Sequence, residues 1–125
     1  MASGQIVLTK DAPAAVGPYS QAIKTPTAIY CSGALPLTPD GILVNTSISA
    51  QTEQSCENLS AILKEAGSSM CNVVKCVVFL SDMGHFAKMN KVYAKYFPHN
   101  PARSCVAVKT LPKDADVEIE CIALP

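Results

Sequence analysis

Arg103 heads an alternating run, Arg103-Ser104-Cys105-Val106-Ala107-Val108, patterned as a half-buried strand. A guanidinium there either leans into water or holds an anion, and spacing alone leaves the two evenly matched. As a clamp it offers a planar fork for a bidentate carboxylate pair, which a lysine cannot reproduce. Cys105 shares the face of Arg103, because strand side chains alternate with period two. Its thiol is a candidate nucleophile, and its side chain equally a small packing group. Glu118 and Glu120 share one face of the last apolar run, whose opposite face carries Val117, Ile119, Cys121 and Ala123. Either carboxylate could take a proton from water, and a solvated acidic sheet face is the plainer reading. Asn90 follows Phe86 by four residues and precedes Tyr93 by three, so it borders a helical stripe. Tyr19 and Ser32, beside Pro18 and Gly33, complete the set of polar residues planted among apolar ones.

Several other chemistries lack their residues. The glycines are scattered singly, so the sequence holds no phosphate-cradling loop. His85 and His99 are the only histidines, which excludes a three-histidine metal site, and no Cys/His spacing suits zinc. Neither histidine stands near a serine in a nucleophile-elbow pattern. Neither a metal nor a cofactor is expected.

Short strands and two helices must position these groups. QIVLT (5–9) reads as a strand ended by KDAPAAVGP, where Pro13, Gly17 and Pro18 enforce irregular backbone. YSQAIK (19–24) and AIYCSGAL (28–35) read as two strands across Thr25-Pro26-Thr27. A turn at Thr38-Pro39-Asp40-Gly41 then leads into ILV. The first helix carries Ile48, Thr52, Cys56, Leu59, Ile62, Leu63 and Ala66 at helical steps, with Gln51, Gln54, Glu57, Asn58 and Lys64 mostly off that face. Ser47 or Ser49 caps its start, and Gly67 stands where a glycine ends a helix. VVKCVVFL (73–80) is β-branched and nearly all apolar, as a central buried strand is. A second helix, about 82–97, sets Phe86, Met89, Tyr93 and Phe97 on one stripe, with Asp82 as its cap and Pro98 as its stop. RSCVAVK (103–109) and VEIECIAL (117–124) close the chain, joined by TLPKDAD. This order predicts an α+β fold, a mixed sheet with two helices packed on one face. No linker, repeat or low-complexity tract interrupts it, so one domain over 1–125 is expected.

If the last two strands formed a hairpin about residue 113, Arg103 would face residue 123 and stand ~16 Å from Glu118 by strand rise. One compact site then needs either a strand between them or two chains. The composition favours an oligomer: of the residues, 49% are hydrophobic and 16% charged. The sheet face away from the helices is also rich in apolar positions, with no segment left to cover it. Ten basic and ten acidic residues cancel, leaving no electrostatic footprint for a phosphate backbone, so nucleic acid is not an expected partner. The longest apolar stretch, near NVVKCVVFL, is broken by Lys75 and falls far short of the ~20 residues that span a membrane. Six cysteines without a CxxC or clustered framework read as free thiols of a reducing compartment. MASGQIVLTK has neither an Arg-rich amphipathic stretch nor a secretory apolar region, so a cytoplasmic location is the expectation, with a mitochondrial one left open without a clear targeting segment.

APAAVGPYSQA (12–22), YCSGALP (30–36), VVKCVVFLSDMGHFAKMNKVYAKYF (73–97) and above all PARSCVAV…LPKDADVEIECIA (101–123) resemble the Rid family. These are the reactive intermediate deaminases, also called YjgF-like or liver perchloric-acid-soluble proteins. The similarity runs over essentially the whole chain, and its visible departure is a shorter YFPHNPARS stretch around Arg103. The resemblance implies a chorismate-mutase-like α+β fold and a homotrimer whose three sheets form a central barrel, with a site in each intersubunit cleft. It implies hydrolysis of 2-iminobutanoate, 2-iminopropanoate or their 2-aminoacrylate-type enamine tautomers to 2-keto acids and ammonia. On this resemblance Arg103 clamps the substrate carboxylate, the Cys105 N–H donates to it, and Glu118 orients or deprotonates the attacking water. Glu120 is then structural, while Tyr19, Ser32 and Asn90 match site-lining positions. Two other readings stay open: a carboxylate-binding regulatory trimer without turnover, and a ribonuclease or translation inhibitor, a label members of this family also carry.

Overall fold

The computed structural model describes residues 4–125; Met1, Ala2 and Ser3, which open the stretch read for targeting, lie outside the described residues. The elements follow in the order β1 (Gln5–Val7), β2 (Ala22–Lys24), β3 (Ile29–Ala34), α1 (Ile48–Glu65), β4 (Val73–Leu80), α2 (Phe86–Tyr96), β5 (Ala102–Ala107) and β6 (Val117–Ala123). The strands make one sheet in the spatial order β1-β2-β3-β6-β4-β5. Neighbours run antiparallel except β4 and β5, the parallel pair that α2 connects. Both helices lie on one face, which is the expected α+β layering.

β6 takes the middle of the sheet because its alternation suits that place. Val117, Ile119, Cys121 and Ala123 are sealed under the helices, and the residues between them stay half-exposed. The last two strands are therefore not a hairpin, since β4 separates them. Arg103 stands in register with Cys76, and Cys76 with Cys121, while Glu118 stands in register with Phe79. Cys76 and Cys121 are buried against the helices, so Arg103 points to that side. Glu118 differs from Cys121 by an odd number of residues and points to the other. Both a strand and the thickness of the sheet lie between the two groups.

The main core is the layer between sheet and helices; a smaller cluster of Leu35, Leu37, Leu111 and Ala115, with Phe79 packed against it, covers part of the other sheet face, for which the sequence left no segment in view. α1 contributes Ile48, Cys56, Leu59, Ile62 and Leu63, α2 contributes Met89 and Tyr93, and Phe97 follows just past its end. Burying each large side chain contributes ~1.5–3 kcal/mol. Of the two cap candidates for α1 it is Ser47 that serves: its side chain accepts the Ala50 N–H at 3.0 Å. Gly67 takes φ 80°, the left-handed conformation that ends a helix most cheaply in glycine.

Several boundaries differ from the sequence expectation, each for a local reason. The second helix starts at Phe86 rather than near residue 82. Asp82 accepts the Gly84 N–H and caps a 3-10 turn, Met83–His85, that precedes α2. The strand expected over 19–24 shrinks to β2, so Tyr19 lies in a loop: its N–H donates to the Gly17 carbonyl and its hydroxyl accepts from the Val16 N–H. ILV forms only the isolated bridge Leu37–Leu43. β1 and β5 stop short of their expected ends, at Val7 and Ala107, and β5 begins at Ala102. Gln51 and Asn58, expected off the apolar face of α1, are 2% and 1% exposed. Both are buried because they hold loop backbone: Gln51 accepts the Asp116 N–H, and Asn58 donates to the Leu35 and Leu37 carbonyls.

Candidate functional site

Arg103 is half-buried at the sheet's edge, under α2. Its Nη1 donates to Asn90 Oδ1 at 2.8 Å. The guanidinium carbon lies 4.7 Å from the centre of the Tyr93 ring and 5.5 Å from that of Phe86. Among the described residues the only contact within salt-bridge distance is His85 Nε2 with Asp116 Oδ1 at 3.8 Å, so no carboxylate answers Arg103. The cation is held in a fixed orientation by neutral groups, and its charge stays available. Asn90, Asn100, Pro101 and Arg103 border an open recess of ≈ 270 Å³. Asn100 stands there at φ 53°, the left-handed region that asparagine tolerates best after glycine.

β5 is an edge strand, which decides what Cys105 offers. The Val108 N–H donates to the Leu80 carbonyl of β4 at 2.8 Å. Counting back with period two, Val106 and Ser104 turn their N–H groups toward β4, and Cys105 and Arg103 turn theirs to the open edge. The Cys105 thiol packs against the core layer, and burial pushes it above the usual thiol range, an effect Arg103 only partly offsets. A protonated thiol is a poor nucleophile, so the backbone donor is what this residue presents.

Tyr19, Ser32 and Glu118 form a second group. Between the Cys31–Cys121 and Ala34–Ile119 pairs, Ser32 and Gly33 oppose Glu120 alone, a β-bulge that opens β3 beside β6. A methyl group at Gly33 would stand 2.7 Å from Glu118 Cδ and 2.8 Å from Oε1. Only glycine leaves room there for the carboxylate. Burial, and then the neighbouring Glu120, raise Glu118 above the usual carboxylate range. Tyr19, Ser32 and Gly33 also line a small recess of ≈ 30 Å³ that reaches back to Ile62 of α1. Ser32 Oγ donates to the Ser20 carbonyl at 2.6 Å, fixing its direction.

Two buried amides hold the loops around this recess. Gln21 accepts the Thr9 N–H at 2.8 Å and donates to the Thr9 and Pro13 carbonyls at 3.1 and 2.9 Å. Asn58 holds the Leu35–Leu37 stretch through two carbonyls, at 3.0 and 2.8 Å.

The fold thus brings Arg103, Asn90 and Cys105 together at the β5 edge; Tyr19 and Ser32 line one recess with Gly33, and Glu118 stands against that same Gly33. It does not join the two groups within one chain, since Arg103 and Glu118 lie on opposite faces of the sheet. Sequence reasoning missed Gly33, Gln21 and Asn58, and read Phe86 and Tyr93 only as core. For Gly33 a signal existed, because a lone glycine inside a strand pattern marks a bulge or a close approach. The amides carried none, as their partners are backbone groups far along the chain. Chemically, one group is fitted to hold an anion, and Glu118 offers a carboxylate of raised proton affinity. Among the described residues no three His, Cys, Asp or Glu side chains are placed to hold a metal ion.

Comparison with known proteins agrees with this frame. Protein HMF1 of Saccharomyces cerevisiae is 49% identical over 118 residues, covering 94% of this chain and 92% of that protein. Reactive Intermediate Deaminase A, chloroplastic, of Arabidopsis thaliana is 48% identical over 121 residues, 95% of this chain and 65% of that protein. The crystal structure of E. coli TdcF with bound serine superposes with a TM-score of 0.92 at 38% identity, over 97% of this chain and 98% of that one. The family model described as Endoribonuclease L-PSP matches residues 9–125. The chain therefore belongs to the Endoribonuclease L-PSP family, among whose members stand proteins named Reactive Intermediate Deaminase and RutC.

Proposed function

We propose that this protein hydrolyses small 2-imino acids, such as 2-iminobutanoate and 2-iminopropanoate, to 2-keto acids and ammonia. The observation that carries this reading is Arg103, oriented by Asn90 and two aromatic rings with no acidic partner. The substrate carboxylate supplies that partner, and the outward N–H of Cys105 adds a second donor. Support also comes from the deaminase name of the Arabidopsis relative and from the serine, an amino acid carboxylate, in the TdcF structure.

An imine carbon is electrophilic enough that water attack needs only positioning and a proton acceptor. Water adds to the carbon of the protonated imine, one water proton passes to Glu118, and the C=N electron pair moves onto nitrogen, giving a neutral carbinolamine. Glu118 then returns its proton to that nitrogen, and the C–N bond breaks with its electron pair leaving on ammonia. The hydroxyl proton passes to the departing ammonia, and oxygen remains as the keto group. The Tyr19 hydroxyl, which accepts from Val16, still has its O–H to donate, and Ser32 Oγ, which donates to Ser20, still has lone pairs to accept, so each can meet substrate or water. Because Arg103 and Glu118 face opposite sides of one sheet, the site is completed between chains. A homotrimer places the β5 edge of one protomer against the Glu118 face of the next. The apolar members of that face, Tyr30 at 50% and Val106 at 47% exposure, are then covered. The free thiols, with Cys31, Cys56, Cys76 and Cys121 buried, support a reducing compartment such as the cytoplasm. No helix of the described residues is long and apolar enough to cross a membrane.

The test couples the purified protein to a threonine or serine dehydratase and follows keto-acid appearance. Acceleration by the wild type and near-complete loss in Arg103→Ala are expected; equal rates with and without protein reject the deaminase reading. The family description carries a nuclease alternative. Here His85 stands by Asp116 and His99 on the Val73 carbonyl, so no histidine pair forms an acid–base couple for RNA. RNA cleavage that persists through further purification and vanishes in a site variant would establish that alternative instead.

A further inference from the structure

We infer that Phe86 and Tyr93 are positioning residues for the anion site, an aromatic clamp that fixes the Arg103 guanidinium while leaving its charge unspent. The inference rests on reading Arg103 as the carboxylate binder. Phe86, Asn90 and Tyr93 recur at four- and three-residue steps of α2, so one helical stripe presents ring, amide and ring to the same guanidinium. Both ring centres, at 5.5 and 4.7 Å, lie within cation–π range of its carbon. The Asn90 bond occupies only Nη1. The usual way to hold an arginine still is an Asp or Glu, which would compete with any incoming carboxylate. Here every contact is neutral, so rigidity is gained without neutralisation.

Tyr93 contributes its ring, not its hydroxyl. The ring is braced from behind by Phe97, with centroids 4.5 Å apart. Its hydroxyl is buried with no hydrogen-bond partner of good geometry; only the Cys76 thiol stands near it. A tyrosine kept for its oxygen would have that oxygen satisfied. Phe86 is partly buried at the start of α2, at the margin of the core.

The experiment measures binding of 2-oxobutanoate by calorimetry or NMR titration, and turnover in the coupled assay, for wild type, Phe86→Leu, Phe86→Tyr and Tyr93→Phe. Thermal unfolding checks that each variant folds. Phe86→Leu should weaken 2-oxobutanoate binding and raise KM by the same ~3- to 10-fold, the value of one partly buried cation–π contact, with kcat unchanged. Phe86→Tyr and Tyr93→Phe keep the π faces and should bind within ~2-fold of wild type. Wild-type affinity in Phe86→Leu, or equal weakening in Phe86→Leu and Phe86→Tyr, would overturn the clamp. A wild type that does not bind 2-oxobutanoate would overturn the clamp together with the carboxylate site. Binding with the predicted variant order but no turnover would reject the deaminase reading alone and uphold the clamp.

Discussion

At the residue scale the proposed chemistry depends on two groups kept ready by opposite means. Arg103 keeps its charge because neutral groups hold it. Glu118 gains proton affinity because burial and Glu120 disfavour its anion. Unfolding relieves both effects on Glu118. Between the ordinary carboxylate range and its raised value, the folded state therefore binds more protons than the unfolded one. The stability tied to the protonated form is complete below that range and is lost as pH rises through the raised value. Glu118→Gln should accordingly unfold at a higher temperature than wild type at neutral pH, with the gap closing near about pH 4, while turnover falls more than carboxylate binding. A variant less stable than wild type at neutral pH would contradict this. Gly33 is the other determinant, since a methyl group there meets Glu118 Cδ at 2.7 Å. Gly33→Ala should displace the carboxylate and reduce turnover sharply at little cost in stability, since the atoms it meets are the far end of the Glu118 side chain. Unaltered kinetics in a folded Gly33→Ala protein would show that the position of Glu118 is unimportant.

At the element scale, α1 is more than a lid on the sheet. Its buried Asn58 ties the Leu35–Leu37 stretch by two hydrogen bonds and accepts a third from Gln54. Asn58→Ala strands two buried carbonyls and should cost about 2–4 kcal/mol in denaturant unfolding; a loss under 1 kcal/mol, the net worth of one ordinary hydrogen bond, would mean the loop finds other partners. α2 and β4 were legible as elements from β-branched and helical patterns alone. The start of α2 was not, because Asp82 is equally good at capping a 3-10 turn, and Gly84 lets that turn form. Tyr19 was assigned to a strand on its neighbours' character, whereas its loop is fixed by Gln21, which grips Thr9 and Pro13. Periodicity reports which face is apolar. It cannot report a polar side chain buried to satisfy a distant backbone.

At the scale of the whole molecule, Arg103 and Glu118 serve one site only if two chains supply them. Arg103→Ala and Glu118→Gln, each inactive alone, should regain activity when unfolded together and refolded as a mixture. Random pairing gives about a quarter of the wild-type level for a site shared by two chains. No recovery, or a solution mass equal to the 13.2 kDa of one chain, would place the whole site elsewhere.

The sequence by itself determined the α+β class, the helix faces, the alternation that buries one side of β6, and the polar residues that are candidates for the site. Those are local properties, written in residue type and period. It also showed by strand rise alone that a terminal hairpin could not unite Arg103 with Glu118. Only the tertiary structure decided that β4 intervenes, that the two groups face opposite sides, that a bulge at Ser32-Gly33 seats Glu118, and that α2 clamps Arg103. These follow from which strands pair and in which register, and pairing is a contest among distant segments that no window of residues records.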